Sequence, residues 1–337
     1  MKKKSVNAME VAKLANVSQS TVSRVFTPGS NVSEKTKEKV MEAASFLGYR
    51  PNALARGLIM NKTNMVGLAM REIQNPFYHE VLGKFTKGLR EKGYHVLFVY
   101  TENDEIQQEE ITQFLEYNVE GVIVTDALLS SNVVTQLQES NIPVILFNRY
   151  SHELSCHSVS CDNYSAAWQI ADYLYEQGCR RLAYITGRKN TSTSQDRQRG
   201  FCDYLQAKGV KVIIEEGNYT YEGAYKAALN LLKRNERPEA IFGANDITAL
   251  GALDAAKSLQ LSIPEDVTVV GFDNIEMAAW PANSLTTWEQ PVDEMVKITI
   301  ETLINQINKK QVDAKPKLVS GKLIKRDSTK KSKVVDK

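Results

Sequence analysis

The sequence predicts an α/β protein in two parts, a small three-helix head containing a helix-turn-helix and a long two-lobed body of doubly wound parallel sheets. Three observations carry this. Residues 1–62 hold eleven Lys and Arg against four Glu, a net of +7, whereas the rest of the chain carries −5 and the whole only +2. Apolar residues recur with a helical period up to about residue 47, and from Met65 onward short apolar runs alternate with amphipathic stretches. The 337 residues suffice for about two domains, with 42% hydrophobic and 24% charged residues as in ordinary globular proteins.

The head comes first. Between Ala8 and Ala15, Val11, Ala12, Leu14 and Ala15 share one helix face, and between Gln19 and Phe26, Val22, Val25 and Phe26 do the same. Only "NVS" separates the two, so the chain must turn sharply at Asn16, which tolerates a left-handed backbone, before Ser18 caps the second helix. This is the pattern of a helix-turn-helix, whose second helix enters the DNA major groove. A third helix, capped by Ser33, carries Val40, Ala43, Ala44, Phe46 and Leu47 and closes the core. After "GYRPN", the segment "ALARGLI" is too short to be helical alone and needs a partner to order it.

In the body, "NMVGLAM", "HVLFVY", "GVIVT" and "PVILF" read as buried parallel strands separated by helices near 77–92, 105–118 and 130–140. Beyond a linker at about 150–163 the alternation resumes with helix 163–178, "RLAYIT", helix 195–208, "KVIIEE", helix 221–234, "EAIFG", helix 246–259 and "VTVVGF". Two doubly wound halves in succession predict a ligand cleft at the carboxyl ends of their strands. Polar residues stand there: Asn75 after the first strand, Asn148 and Arg149 after the fourth, a loop "TGRKNTSTSQDR" rich in hydroxyls at Thr191 to Ser194, then Asn245 and Asp246, and Asp273 and Asn274. Asp246 suits a helix cap, Asp273 a turn.

Several classes are excluded or disfavoured. The apolar runs fall short of the roughly 20 residues that span a bilayer, and Asn7, Glu10, Lys13 and Asn16 interrupt any export signal after "MKKK". Cys156, Cys161, Cys179 and Cys202 form no disulfide framework and suit a reducing cytoplasm. Cys156, His157 and Cys161, with His152 nearby, match no zinc spacing, so no metal and no cofactor is expected. His79, His95, His152 and His157 are isolated, and phosphate loops, G-x-S-x-G elbows and H-E-x-x-H pairs are missing, so no catalytic residue is expected.

Seven ordered stretches, "EVAKLANVSQSTVSRVF", "VSEKTKEKVMEAASFLGYRPNALARGL", "NPFY", "DN" at 162–163, "FGANDITALGAL", "IPEDVTVVGFDN" and "LTTWEQP", closely resemble the LacI/GalR family of bacterial transcription regulators from about residue 6 to 326. The resemblance implies a periplasmic-binding-protein-like body on a DNA-binding head. It divides the chain into a head at 1–50, a hinge helix and linker at 51–62, and an effector-binding and dimerisation body at 63–326. The body's lobes fall at about 63–160 and 161–326, with crossovers near 283–290, and 327–337 form a disordered basic tail.

By the same resemblance Gln19 and Ser20 read base edges, Arg24 a base or phosphate, and Ser18, Thr21 and Ser23 touch phosphates. Asn31, Asn52 and Ala53 are further DNA positions, and Leu58 matches the hinge leucine that wedges into a minor-groove step. Thr27 stands where the family often has Asn. Asn245, Asp273 and Arg197 match effector-holding positions. Gln290, Asn148 and Asn75 line the same pocket, and Phe77 and Tyr219 offer aromatic faces to a sugar ring. Asn148 replaces a frequent Asp. A tail without leucine heptads implies a homodimer rather than a tetramer.

The expected function is a repressor whose affinity for a palindromic double-stranded operator is switched by a sugar-like effector. A transport-type sugar-binding protein shares the two-lobed body but not the basic head, and a sugar-processing enzyme lacks the signatures above.

Overall fold

The computed structural model describes residues 6–26, 30–50, 62–71, 75–102, 104–151, 154, 156–309 and 316–330. The expected hinge residues Asn52, Ala53 and Leu58, with Thr27 and His152, lie outside the described residues. The chain divides into two compact units, 1–64 and 65–337.

In the head, α1 (Ala8–Ala15) is capped reciprocally by Asn7 and Glu10 and ends at Asn16 in the left-handed region, φ 52°. Helix α2 (Gln19–Val25) starts at Ser18, whose Oγ accepts from Thr21 N–H at 3.1 Å, and α3 (Glu34–Leu47) starts at Ser33. Val11, Ala12, Ala15, Val22, Val40, Ala43 and Ala44 form the core, with Phe26 and Tyr49 packed on it at 5.8 Å between ring centroids. Two expected core residues are not in it: Leu14 is 51% and Phe46 83% exposed. The stripe Val40–Ala43–Ala44 with Leu47 fills the space between the helices, and Phe46 projects from its flank.

The body's first sheet has the order β11-β5-β4-β3-β1-β2, all parallel. It comprises β1 (Met65–Met70), β2 (His95–Tyr100), β3 (Gly121–Thr125), β4 (Val144–Phe147), β5 (His157–Cys161) and β11 (Pro316–Val319). Helices α4 (Pro76–Glu91), α5 (Gln108–Glu116) and α6 (Ser131–Glu139) connect its early strands. The second sheet has the order β12-β10-β9-β8-β6-β7. Its strands are β6 (Leu182–Thr186), β7 (Val212–Glu216), β8 (Ala240–Gly243), β9 (Thr268–Asp273), β10 (Thr286–Glu289) and the antiparallel edge strand β12 (Lys322–Ile324). Around it run α7 (Asn163–Glu176), α8 (Ser192–Ala207), α9 (Tyr221–Leu232), α10 (Asp246–Ser258) and α11 (Glu276–Ala279).

Three expectations are corrected. The segment 150–163 is not all linker, because it contains β5, which pairs on both edges although Ser158 and Ser160 take two of its five positions. Pairing on both sides satisfies the backbone without an apolar run. Residues 292–319 do not belong to the second lobe: α12 (Val292–Ile307) packs on α4, β4 and β5, and β11 pairs with β5. The chain thus crosses between lobes near 162, 290 and 320. At the last crossing Gly321 has no substitute, since a Cβ there would lie 2.1 Å from the Glu289 carbonyl oxygen. Finally, 327–330 are not disordered. Ser328 and Thr329 are each 2% exposed, with Ser328 Oγ donating to Val269 O at 2.6 Å and accepting from Thr286 N–H at 2.8 Å.

Candidate functional site

In the head, Ser18, Gln19, Ser20, Arg24 and Asn31 are exposed, and Thr21 and Ser23 are half-buried. Gln19, Ser20 and Arg24 are therefore at the surface of α2. Ser18 is engaged as its cap, with Oγ 2.8 Å from both Ser20 Oγ and Thr21 Oγ1. That hydroxyl network fixes the first turn of the helix, the end that carries its partial positive charge.

In the body, the carboxyl ends of the two sheets face one another across a cleft of about 410 Å³, its mouth included. Asn75, Phe77, Asn148, Arg197, Tyr219, Asn245 and Asp273 all line it, as the strand-end rule requires. Gln290 does not: it stands behind Asp273, donating from Nε2 at 2.7 Å to that carboxylate. Four further residues line it: Arg188 and Thr193, which belong to the strand-end loop "TGRKNTSTSQDR", and Tyr78 and Asp126, which the sequence reading does not place there. Asp126 directly follows β3, so the strand-end rule applied to every strand finds it as well. Tyr78, inside α4, has no such signal.

The second-lobe wall is closed on itself. Arg197, 2% exposed, donates from Nε to Asn163 Oδ1 at 2.8 Å and from Nη1 to Ala244 O at 2.6 Å, and its guanidinium lies 3.5 Å from the Phe272 ring centroid. Its Nη2 stands 3.8 Å from Asp273. Asn245 caps α10, accepting from Thr248 N–H at 2.9 Å and Thr248 Oγ1 at 2.7 Å. Asp246 is therefore not the cap. Fully buried, it accepts from Thr287 Oγ1 at 2.5 Å and Ile275 N–H at 2.8 Å, behind the lining. Burial raises the pKa of both Asp273 and Asp246, and Asp273 raises Asp246 further, while Arg197, Gln290 and Asn75 pull Asp273 back. Asp273 also bends the chain as a turn residue at φ 123°.

The hydroxyl-rich stretch Thr191 to Ser194 is a helix start rather than a loop. Thr191 caps α8 by accepting from Ser194 N–H at 3.3 Å, and Thr193 faces the cleft with its Oγ1 3.5 Å from Tyr219 Oη. The Tyr219 ring lies flat on Gly187, where a Cβ would come within 2.0 Å of it. Phe77 is 2% exposed and packs edge-on against Tyr78 at 5.1 Å, so it serves the core as well as the lining.

The first-lobe wall differs. Asp126 pairs with buried Arg149 and accepts from Tyr78 Oη at 3.2 Å through Oδ1, while its Oδ2 has only Arg188 at 3.8 Å, beyond hydrogen-bond range. Asn148, 4% exposed at φ 61°, donates to Tyr78 Oη at 3.5 Å. Asp126 Oδ2 and Asn148 Oδ1 are buried without a hydrogen-bond donor. Tyr78 is held protonated, its pKa well above the usual value through burial and Asp126. Burial pushes the thiol of Cys156 to about 11 and that of Cys161 to about 12.

Contacts across the cleft tie the lobes together: Arg188 to Asp126, Asn75 to Asp273, and Tyr150, which donates from N–H to Ser192 Oγ at 3.1 Å and from Oη to Asp196 at 2.6 Å. Among the described residues no helix is long and apolar enough to cross a membrane.

Residues 9–52 match the model of bacterial regulatory proteins of the lacI family, and residues 171–329 match a periplasmic binding protein-like domain. The ribose operon repressor of Halalkalibacterium halodurans is 33% identical over 95% of this chain and 96% of its own. Several solved structures are similar over nearly the whole chain. The lac repressor dimer bound to operator and the anti-inducer ONPF is 25% identical with TM-score 0.88, covering 97% of this chain and 99% of its own. A complex of the transcriptional regulator CelR with cellobiose is 27% identical with TM-score 0.71, covering 96% and 99%. With head, body and full-length relative in agreement, this chain belongs to the lacI family of bacterial regulatory proteins and is a DNA-binding transcription regulator.

Proposed function

We propose that the chain is a cytoplasmic homodimeric repressor, not an enzyme, that binds a palindromic operator and is switched by a neutral polyol of sugar type in the cleft. The observation that carries the ligand class is the pair of donor-less buried acceptors, Asp126 Oδ2 and Asn148 Oδ1, opposite the fixed Arg197–Asp273 wall. Buried acceptors without donors are costly, and a ligand hydroxyl relieves each of them, whereas an anionic group would face a carboxylate. The sugars named for the ribose operon repressor and the CelR complex agree with this.

On DNA, Gln19 and Ser20 read base edges and Arg24 a base or phosphate. Ser18, Thr21 and Ser23 position the head on phosphates, Asn31, Asn52 and Ala53 are further DNA positions, and Leu58 wedges into a minor-groove step. Two heads related by a two-fold axis require symmetric half-sites. The switch is linkage: a ligand that binds one arrangement of the lobes more tightly shifts operator affinity by that difference.

A thermal-shift screen of sugars, sugar phosphates, sugar acids and nucleobases, followed by operator binding with each hit, tests the reading. A neutral sugar at 100 times its dissociation constant should stabilise the body by about 2.7 kcal/mol and alter operator affinity. Hits confined to nucleobases or acids, or a sugar hit whose affinity is the same with and without operator, would refute it.

A further inference from the structure

A second chamber lies beside the cleft. It is bounded on the first lobe by Leu128, Leu129 and Leu146 and on the second by the first turn of α8 at Ser192 and Gln195, with about 1310 Å³ of space including its open mouth. A wall separates it from the cleft: Asp126 faces the cleft, its ion-pair partner Arg149 faces the chamber, and Tyr150 is bonded to Ser192 and Asp196 beside them. Arg149 is 6% exposed, and its Nε has no hydrogen-bond acceptor. A buried guanidinium carries its charge at any accessible pH, so an unmet N–H there favours an anionic oxygen over a neutral one.

Other features of the lining agree. The 16-residue helix α8 directs its positive N-terminal end at the chamber, and Arg199 lines it from the next turn. Two carboxylates also line it. Asp196 already accepts from Tyr150 and from Arg199 at 2.9 Å, and Glu105 is the other. We propose that this chamber is a second ligand site, distinct from the polyol cleft, for a small amphipathic anion whose charged group meets Arg149 and the start of α8 and whose apolar part lies on Leu128, Leu129 and Leu146. Because its walls come from both lobes, its occupant biases the same lobe arrangement as the cleft ligand and acts as a second effector.

The test uses the full chain and phenyl phosphate, with inorganic phosphate and phenyl β-glucoside as comparison probes, followed by calorimetry and thermal shift. Phenyl phosphate should bind saturably and more tightly than inorganic phosphate. Arg199→Ala and Leu129→Glu should each weaken it, the latter by tenfold or more, whereas Asp273→Asn, which alters the cleft, should leave its affinity within about twofold. Arg149→Lys, keeping a charge beside Asp126, should weaken it without unfolding the chain. No saturable binding of either phosphate overturns the site. So does binding that survives Leu129→Glu but disappears in Asp273→Asn, since the anion then occupies the cleft. Loss of glucoside binding alone bears on the polyol reading and leaves the second site standing.

Discussion

The two walls of the cleft are built on opposite plans. The second lobe fixes the polar side chains that line the cleft: Arg197 is held by Asn163, the Ala244 carbonyl and the Phe272 ring, Asp273 by Gln290, and Asn245 by its own helix. The first lobe leaves Asp126 Oδ2 and Asn148 Oδ1 without donors. One wall is preorganised and gains little from reorganising around a ligand, and the other is relieved by one. An effector therefore contributes to lobe closure mainly through the first lobe, while the second sets its position.

The comparison breaks most severely at Arg197. Arg197→Ala leaves Asp273 buried without its cation, and removing one partner of a buried pair costs about 3–5 kcal/mol, so the melting temperature should fall and effector response should vanish. Operator affinity without effector should change little at a temperature where the variant is folded. Calorimetry with operator titration measures both, and a full response from the variant would show that the second-lobe wall is not the anchor.

Next in size is a pH effect. A carboxyl whose folded pKa lies above its unfolded value binds more protons when folded, so it favours the fold at low pH and that contribution is lost as pH rises toward the folded pKa. Asp246 is such a group, raised to about 7 by burial and by Asp273. Body stability should therefore decline between about pH 4 and 7, and Asp246→Asn should flatten that decline by removing the titrating group. Melting curves of the two proteins from pH 5 to 8 read this directly, and parallel profiles would contradict it.

On the first lobe, Asn148→Ala removes one unmet acceptor, and effector affinity should fall about tenfold, the worth of a typical buried hydrogen bond. Stability without ligand should fall by only about 1–2 kcal/mol, since Asn148 Oδ1 has no donor to lose and the cost is Ala in a left-handed backbone at φ 61° together with the long bond to Tyr78 Oη. A large loss of stability would mean that this wall is as closed as the other.

The smallest effect lies in the head. Ser18→Ala removes the cap of α2 and should cost about 1 kcal/mol of head stability, weakening all DNA sequences about equally, whereas Ser20→Ala should change which bases are preferred. Selection from random DNA with both variants separates the two outcomes.

What the residues alone determined was local and periodic. The capped helices of the head, the strand-end positions of Asn75, Asn148, Asn245 and Asp273, and the basic charge of the first segment follow from short-range rules that operate within a turn or a strand. Tertiary structure decided the rest. The strand His157–Cys161 has too few apolar residues to be seen by period and exists because neighbours pair with both its edges. Helix Val292–Ile307 is amphipathic in any context, yet only packing against the first lobe sends the chain back across the cleft. Phe46 and Leu14 carry apolar side chains that the small core does not admit. Tyr78, at no strand end, enters the cleft only because residues far apart in sequence converge there. Which polar groups are satisfied and which await a ligand depends on those long-range neighbours, whose distances no pattern of adjacent residues encodes.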